Sequence, residues 1–349
     1  MLSLNDREWK EFFIDEIFSV GSGKRLETRN KVPGTTAFIG ATDNTNGITG
    51  FIGNTNNSKD KNVLGVNYNG APCIAFYHPY ECIFSDDVKR LHLKEFEDNK
   101  YIFEFFATII RKQKQKYNYG YKCNEKRMVR QKIIVPVTDE GNPDVDFMEA
   151  YIKQQEQDKV NAYIQYCKER LAELGTEVEI ETASDKHWES FFIKDIFDKV
   201  ERGKRLKKDD HIKGDKPYVS STALNNGVDQ FIGNEKGTRV FEDCLSLANS
   251  GSVGSCFYEP FPFVASDHVT HLKKDDASKF IYLFMATMLN RLSEKYNFNR
   301  EINDFRINRE KIILPVTEDG KPDYDYMEQY AKNMMIRKYQ SYLDYLQKQ

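Results

Sequence analysis

Ile133-Ile134-Val135-Pro136-Val137-Thr138, then Gly141-Asn142-Pro143-Asp144, then Asp146-Phe147-Met148-Glu149 read as a strand, a tight turn and the opening of a helix. The same three phrases return as Ile312-Ile313-Leu314-Pro315-Val316-Thr317, Gly320-Lys321-Pro322-Asp323 and Asp325-Tyr326-Met327-Glu328. Working outward, Trp9-Lys10-Glu11-Phe12-Phe13-Ile14 returns as Trp188-Glu189-Ser190-Phe191-Phe192-Ile193. Gly23-Lys24-Arg25-Leu26 returns as Gly203-Lys204-Arg205-Leu206, and Phe51-Ile52-Gly53-Asn54 as Phe231-Ile232-Gly233-Asn234. Trp9 to Trp188 is 179 positions and Gly23 to Gly203 is 180, so one-residue insertions account for the drift. Solenoid repeats run about 20–50 residues. A period this long describes a duplicated domain, each copy large enough to fold alone. Duplicated molecules suit partners with matching two-fold geometry.

Composition narrows the class. The chain has 349 residues, 30% charged and 40% hydrophobic, ordinary for a soluble globular protein of two or three compact units. No apolar run approaches the roughly 20 residues of a membrane span, and Met1–Asp6 has neither the basic start nor the apolar stretch of a signal peptide. The 6 cysteines lack a Cys-x-x-Cys spacing, which argues against a zinc site and a disulfide framework and for the cytoplasm. Neither a metal nor a cofactor is expected. Net charge is −3, so bulk charge announces no nucleic-acid binder. Its distribution does better: Lys100–Lys132 holds ten Lys or Arg against two acids, a net of +8. The matching window Lys279–Lys311 has seven against four, a net of +3. Mixed charge is also the ordinary dress of a solvated surface, so a polyanion-binding role stands beside that alternative.

Each copy follows one grammar. A short aromatic segment (Trp9–Phe18; Trp188–Phe197) opens it, and a strand-rich middle follows. Asn46-Gly47 and Asn226-Gly227 read as tight turns there, because both residue types tolerate positive φ. Helices are expected at Tyr101–Gln115 and Phe280–Glu294, where apolar residues recur at helical spacing. After the Gly-x-Pro-Asp turn a long helix runs about Asp146–Leu174, with Asp144 or Asp146 to cap it and Gly175 to stop it. Val160, Ile164, Cys167, Leu171 and Leu174 step by 4, 3, 4 and 3, the seam of a coiled coil, and Ile336, Tyr339, Leu343 and Leu346 continue that phase in the second copy. The alternative is an amphipathic helix packed on its own domain.

This order of parts resembles the specificity (S) subunit of type I restriction–modification systems, most closely the compact version found with type IIB-like enzymes. The resemblance runs from Trp9 to Gln349. It rests on the duplicated order of Trp-x-x-Phe-x-Ile, Gly-Lys-Arg-Leu, Ile-x-x-Pro-Val, Gly-x-Pro-Asp and a long helix, and no single motif is diagnostic. It implies an α+β fold of two tandem, similar α/β target-recognition domains, separated by two long antiparallel helices as a coiled coil and related by a pseudo-two-fold axis. The expected divisions are 1–145 and 188–324 for the recognition domains. The spacer helix with its linker would occupy 146–187, and the second spacer helix 325–349. The implied function is non-catalytic: each domain reads one half of a bipartite target in double-stranded DNA while the helices set the gap. The implied partners are methyltransferase (modification) subunits docking on the helices, either with a separate nuclease or fused to one.

Side-chain chemistry then nominates residues. Phosphate contacts fix register, and base-edge contacts carry sequence; Asn and Gln suit adenine, Arg and Lys suit guanine, and Ser or Thr serve either. Positioning candidates are Lys24, Arg25, Lys204 and Arg205. Reading candidates in the first copy are Asn44, Asn46, Asn67, Tyr68, Lys116, Tyr117, Asn118, Tyr119, Tyr121 and Lys122. In the second copy they are Ser220, Ser221, Thr222, Asn249, Ser250, Lys295, Tyr296, Asn297, Asn299 and Arg300. Tyrosines of this kind also pack against their own domain, and that alternative stays open. Gly21-Ser22-Gly23-Lys24 is no phosphate loop: the earlier glycine is missing and Arg25 stands where Ser or Thr would meet magnesium. His268-x-x-His271 is the one metal-like histidine spacing, and a strand role is expected for it. No catalytic constellation emerges. A free-standing nuclease or methylase with an unrecognised site, and a protein-binding scaffold that no longer touches DNA, remain the competing readings.

Overall fold

The computed structural model describes residues 2–117 and 121–348, and the chain divides into two compact units, residues 1–163 and 164–349. Among the described residues the first unit contains ten strands: β1 (Glu8–Phe13), β2 (Phe18–Ser22), β3 (Pro33–Ile39), β4 (Ile48–Ile52), β5 (Lys59–Asp60), β6 (Val63–Asn67), β7 (Ala75–His78), β8 (Cys82–Phe84), β9 (Val88–Leu93) and β10 (Lys132–Val137). They form two four-stranded sheets, ordered β2-β9-β6-β7 and β4-β3-β8-β5, and a two-stranded ribbon β1-β10. The second unit repeats the pattern with β11 (Trp188–Phe192), β12 (Lys199–Arg202), β13 (Lys213–Val219), β14 (Val228–Ile232), β15 (Val240–Phe241), β16 (Cys244–Ala248), β17 (Cys256–Glu259), β18 (Phe263–Ala265), β19 (Val269–Lys273) and β20 (Lys311–Pro315). The orders match, β12-β19-β16-β17, β14-β13-β18-β15 and β11-β20. Even the registers match: Leu64 faces Leu91 as Leu245 faces Leu272, and all four are buried.

The recurring sequence phrases have structural causes. Trp9 pairs with Pro136 in the ribbon, and Trp188 with Pro315. A proline is tolerated on so short an edge because it need not donate to a further strand. Each indole stacks on a phenylalanine of the neighbouring helix, Phe105 at 6.2 Å or Phe284 at 6.1 Å. Those helices are Lys100–Arg111 and Lys279–Asn290, each followed by a 3-10 turn, close to the expected spans. Asn99 caps the first by accepting from the Tyr101 amide, and Ser278 caps the second by accepting from Ile281.

The Gly-x-Pro-Asp turns work as the sequence implies. Gly141 and Gly320 sit at φ +85° and +75°, where a side chain would be strained. Asp144 and Asp323 then cap the long helices, each accepting from a backbone amide three residues on at 2.9 Å. A cation two residues ahead of each ribbon tryptophan holds the capping carboxylate, Arg7 on Asp144 at 2.7 Å and Lys186 on Asp323 at 2.9 Å. The Met-Glu pair that follows has two jobs. Met148 and Met327 are fully buried, while Glu149 and Glu328 accept from the Asn99 and Ser278 side chains that cap the short helices. One carboxylate thus fixes the long helix to the domain in each unit.

The first long helix spans Val145–Leu174 and ends at Gly175, φ +78°, whose amide returns to the Leu171 carbonyl. At about 1.5 Å per residue its 30 residues measure about 45 Å. The second spans Tyr324–Gln347. Cys167 and Ile336 are buried, and Val160, Ile164, Leu171, Leu174, Tyr339, Leu343 and Leu346 are half-buried, between mostly exposed neighbours. Within the second unit, Tyr166 sets its ring edge against Tyr339 with centroids 6.0 Å apart. Among the described residues no helix is long and apolar enough to cross a membrane.

Candidate nucleic-acid interface

The Gly-Lys-Arg-Leu phrase is a strap across the turn that joins β8 to β9, or β18 to β19. The Gly23 and Lys24 amides donate to the Val88 and Phe84 carbonyls at 3.2 and 2.9 Å, and those of Gly203 and Lys204 to Val269 and Ala265 at 2.9 and 3.1 Å. A Cβ on Gly23 would run into the Ser85 carbonyl, and one on Gly203 into the Ser266 and Ala265 carbonyls, so only glycine lets the strap lie this close. Leu26 packs on Phe38, Ile52 and Ile83, as Leu206 does on Tyr218, Ile232 and Val264. Lys24, Arg25, Lys204 and Arg205, held between these anchors, are exposed.

The same turn gathers the other nominated segments. In the first unit the Tyr68 amide donates to the Asp87 carbonyl at 3.1 Å, and the Asn69 side chain to the Asp87 carboxylate at 2.9 Å. Asn67 reaches the Thr42 carbonyl at 2.9 Å and so ties the loop that carries Asn44 and Asn46, both exposed, with Asn46 at φ +56°. Lys89 donates to Ser22 at 2.6 Å and to Glu125 at 2.7 Å, with its ammonium 5.2 Å from the Tyr68 ring. Hydrogen bonds from Lys89 and Ser22 hold the Glu125 carboxyl below its ordinary range. Cys73 and Cys123 are free thiols, both buried. Segments a hundred residues apart therefore share one rim.

In the second unit the Asn249 amide donates to the His268 carbonyl at 2.8 Å, and Ser250 meets the His268 ring at 2.6 Å. Ser252 donates to the Ser221 carbonyl at 3.0 Å and Ile302 to the Asn249 carbonyl at 2.9 Å, while Arg202 pairs with Asp304 at 3.2 Å. Ser220, Ser221 and Thr222 are half-buried on this rim, and the Thr222 hydroxyl accepts from the Leu224 amide at 3.1 Å.

Several nominated residues serve the frame instead of facing outward. Asn67, Asn249, Ser250 and Tyr296 are buried. Asn249 accepts from Thr270 at 2.8 Å, and the Tyr296 hydroxyl is gripped by Glu310. Burial and that carboxylate push Tyr296 up to about 12. Lys295 also holds Glu310, at 2.8 Å. Tyr117 is half-buried, donates to Gln131 at 2.7 Å, and stacks on the exposed Tyr121 at 5.8 Å; Arg127 lies 3.9 Å over that second ring. Lys116 is exposed and Lys122 half-buried, its carbonyl accepting from Arg127 at 2.8 Å. Asn118 and Tyr119 lie outside the described residues. Asn297, Asn299 and Arg300 are exposed on a turn closed by the Arg300 amide donating to the Asn297 carbonyl at 2.9 Å. His271 is buried in β19, the strand role expected of it.

Phe298 lies inside the nominated Lys295–Arg300 segment without being singled out, and Leu224 was not nominated; they stand 75% and 69% exposed at the tips of two rim loops. The available signal was an apolar residue set among amides in a turn-forming segment.

Over 154 residues the chain is 52% identical to the specificity subunit S.BcgI of a type II restriction enzyme from Heyndrickxia coagulans. That match covers 44% of this chain and 45% of the relative, so it spans about half the length of either. The S subunit of a type I restriction–modification system from M. genitalium aligns over 99% of this chain and 94% of its own, with a TM-score of 0.52 and 14% identity, a likeness of fold. The type I restriction modification DNA specificity domain matches twice, at residues 6–165 and 185–341, and the chain belongs to that family.

Proposed function

We propose that this chain is the non-catalytic DNA-reading subunit of a restriction–modification complex, each unit recognising one half of a bipartite duplex target. The observation that carries the reading is the convergence, in both units, of cationic strap, amide-bearing loops and aromatic-basic segment on one rim of a family-matched domain. The straps are the same in both units and so supply what every sequence shares, contact with phosphate. The loops differ between units, as two readers of different half-sites require.

In this reading the two long helices lie antiparallel and act as a ruler between half-sites. A helix of about 45 Å corresponds to about 13 base pairs at about 3.4 Å each. Their outer faces dock methyltransferase subunits, which supply the chemistry, whether or not a nuclease is fused to them. The test is methylation mapping of a host genome with and without the gene. The reading predicts that one asymmetric, gapped word loses its methyl marks on deletion; unchanged methylation in a host that carries an active partner methyltransferase would overturn it.

A further inference from the structure

We propose that Phe298 is the residue through which the second unit engages an apolar part of the duplex, the stacking face of a base or the methyl group of thymine. The inference rests on the DNA-reading function just described and adds the chemistry of one contact.

Phe298 occupies the tip of a turn that is held from both sides. The Arg300 amide donates to the Asn297 carbonyl at 2.9 Å, the Asn297 amide returns to the Arg300 carbonyl at 3.3 Å, and the Asn299 amide donates to the Asn297 side chain at 3.0 Å. The root of the turn is Tyr296, buried and fixed by Glu310, with the Arg300 guanidinium 5.2 Å over its ring. The segment is joined to the rest of the rim through Ile302 and through the Arg202–Asp304 pair. This anchorage holds the Phe298 ring out, 75% exposed, on a loop otherwise made of amides and charges.

A phenyl ring donates nothing to phosphate, so a contact made by Phe298 must be apolar. DNA offers two such surfaces. An apolar side chain can wedge against a base step or stack on a base, and it can meet the C5 methyl of thymine in the major groove. Asn297 and Asn299 stand to either side, with the side-chain chemistry that reads adenine. Lys295, Arg300, Arg306 and Arg309 share this stretch with Glu294, Glu301, Asp304 and Glu310, and Lys295 is held by Glu310, so the choice of duplex as occupant follows from the DNA-reading rim on which the loop lies and not from net charge. Phe305 shows the contrast: it too is exposed, but the Arg309 guanidinium lies 4.9 Å over its ring.

The experiment begins with the full-length chain selecting bound duplexes from a randomised pool. Binding of the selected word is then measured for wild type, Phe298→Ala and Phe298→Leu. The expected result is a loss on the order of tenfold for Phe298→Ala, confined to one half of the word, with Phe298→Leu between the two. Replacing thymine by deoxyuridine in that half should weaken wild type alone if the methyl group is the contact. A 2-aminopurine at the contacted step should brighten on binding wild type alone if a base face is the contact. Phe298→Ala binding within twofold of wild type would overturn the inference and leave the DNA-reading function standing. A tenfold loss with neither arm responding would also overturn it. If wild type selects no word, the DNA-reading function itself fails and the inference with it.

Discussion

In the first unit Arg90 donates to Asp60 at 2.9 Å and His92 spans Asp60 and Asp98; at the matching strand positions of the second unit His271 stacks on Phe241 at 3.7 Å and Lys273 holds Asp243 at 2.8 Å. Arg90 and His271 occupy equivalent register positions, as do Asp60 and Phe241. An ion pair in one copy has become an aromatic stack in the other, both partners changing together. The interior holds a second such exchange. His78 and Glu259 lie at equivalent ends of β7 and β17, opposite Val63 and Cys244. Gly65 leaves room for the His78 ring, and its counterpart Ser246 donates to Glu259 at 2.9 Å. The backbone frame therefore tolerates wholesale exchange of chemistry provided contacts change in pairs, the property a scaffold needs if copies are to read different words.

The frame itself should break alike in both units. Met148→Ala and Met327→Ala each leave a cavity beneath a long helix, and each is expected to cost about 3 kcal/mol in its own unit. Denaturant unfolding followed by hydrogen exchange checks this; a loss in one copy only would show that the two cores are not equivalent.

Opposite pH dependence should separate the units next. Burial lowers His78 to about 4, so the folded state leaves it neutral while the unfolded chain takes up a proton near 6.5. The first unit thus loses stability as pH falls from about 6.5 to about 4. Burial raises Glu259 to about 7, with the Ser246 hydrogen bond opposing, so the folded state keeps a proton that the unfolded chain releases near 4.5. The second unit thus loses stability as pH rises from about 4.5 to about 7. Each limb is worth at most about 3 kcal/mol, and His78→Gln and Glu259→Gln should each flatten one limb only. His92 acts elsewhere: burial opposes its charge, but Asp98 and Asp60 outweigh that and raise it. Its contribution is present below about 6.5 and fades as pH rises through the raised value. Parallel limbs in the two variants would contradict the assignment.

The straps should behave alike again, with a smaller effect. Lys24→Ala and Lys204→Ala are each expected to weaken DNA binding by about 1 kcal/mol on all sequences, and to reduce the salt slope by about one. A loss confined to one word would turn the strap into a reader.

Much of this was legible because the duplication tests itself. Gly23 and Gly203 share a reason, close approach to a carbonyl, and so do Met148-Glu149 and Met327-Glu328, burial plus a tie to a helix cap. The helix caps and stops at Asp144, Asp323 and Gly175 are local chemistry that spacing reveals. What escaped was burial decided by distant partners. Tyr296 belongs to a basic, amide-rich loop in sequence, and only Glu310 and the surrounding core turn it into an anchor. Asn249 is buried against Thr270, 21 positions away, which no periodicity announces. Phe298 sits among the nominated Lys295–Arg300 residues, and only its 75% exposure singles it out from them.

The most direct measurement replaces residues 188–317 by a second copy of residues 9–138 and repeats the duplex selection with the full-length chain. If each unit reads its own half through its own rim, the chimera selects a word in which the first half-site occurs twice, as an inverted repeat under the pseudo-two-fold reading, at an unchanged gap. Recovery of the original asymmetric word by the chimera would contradict the account.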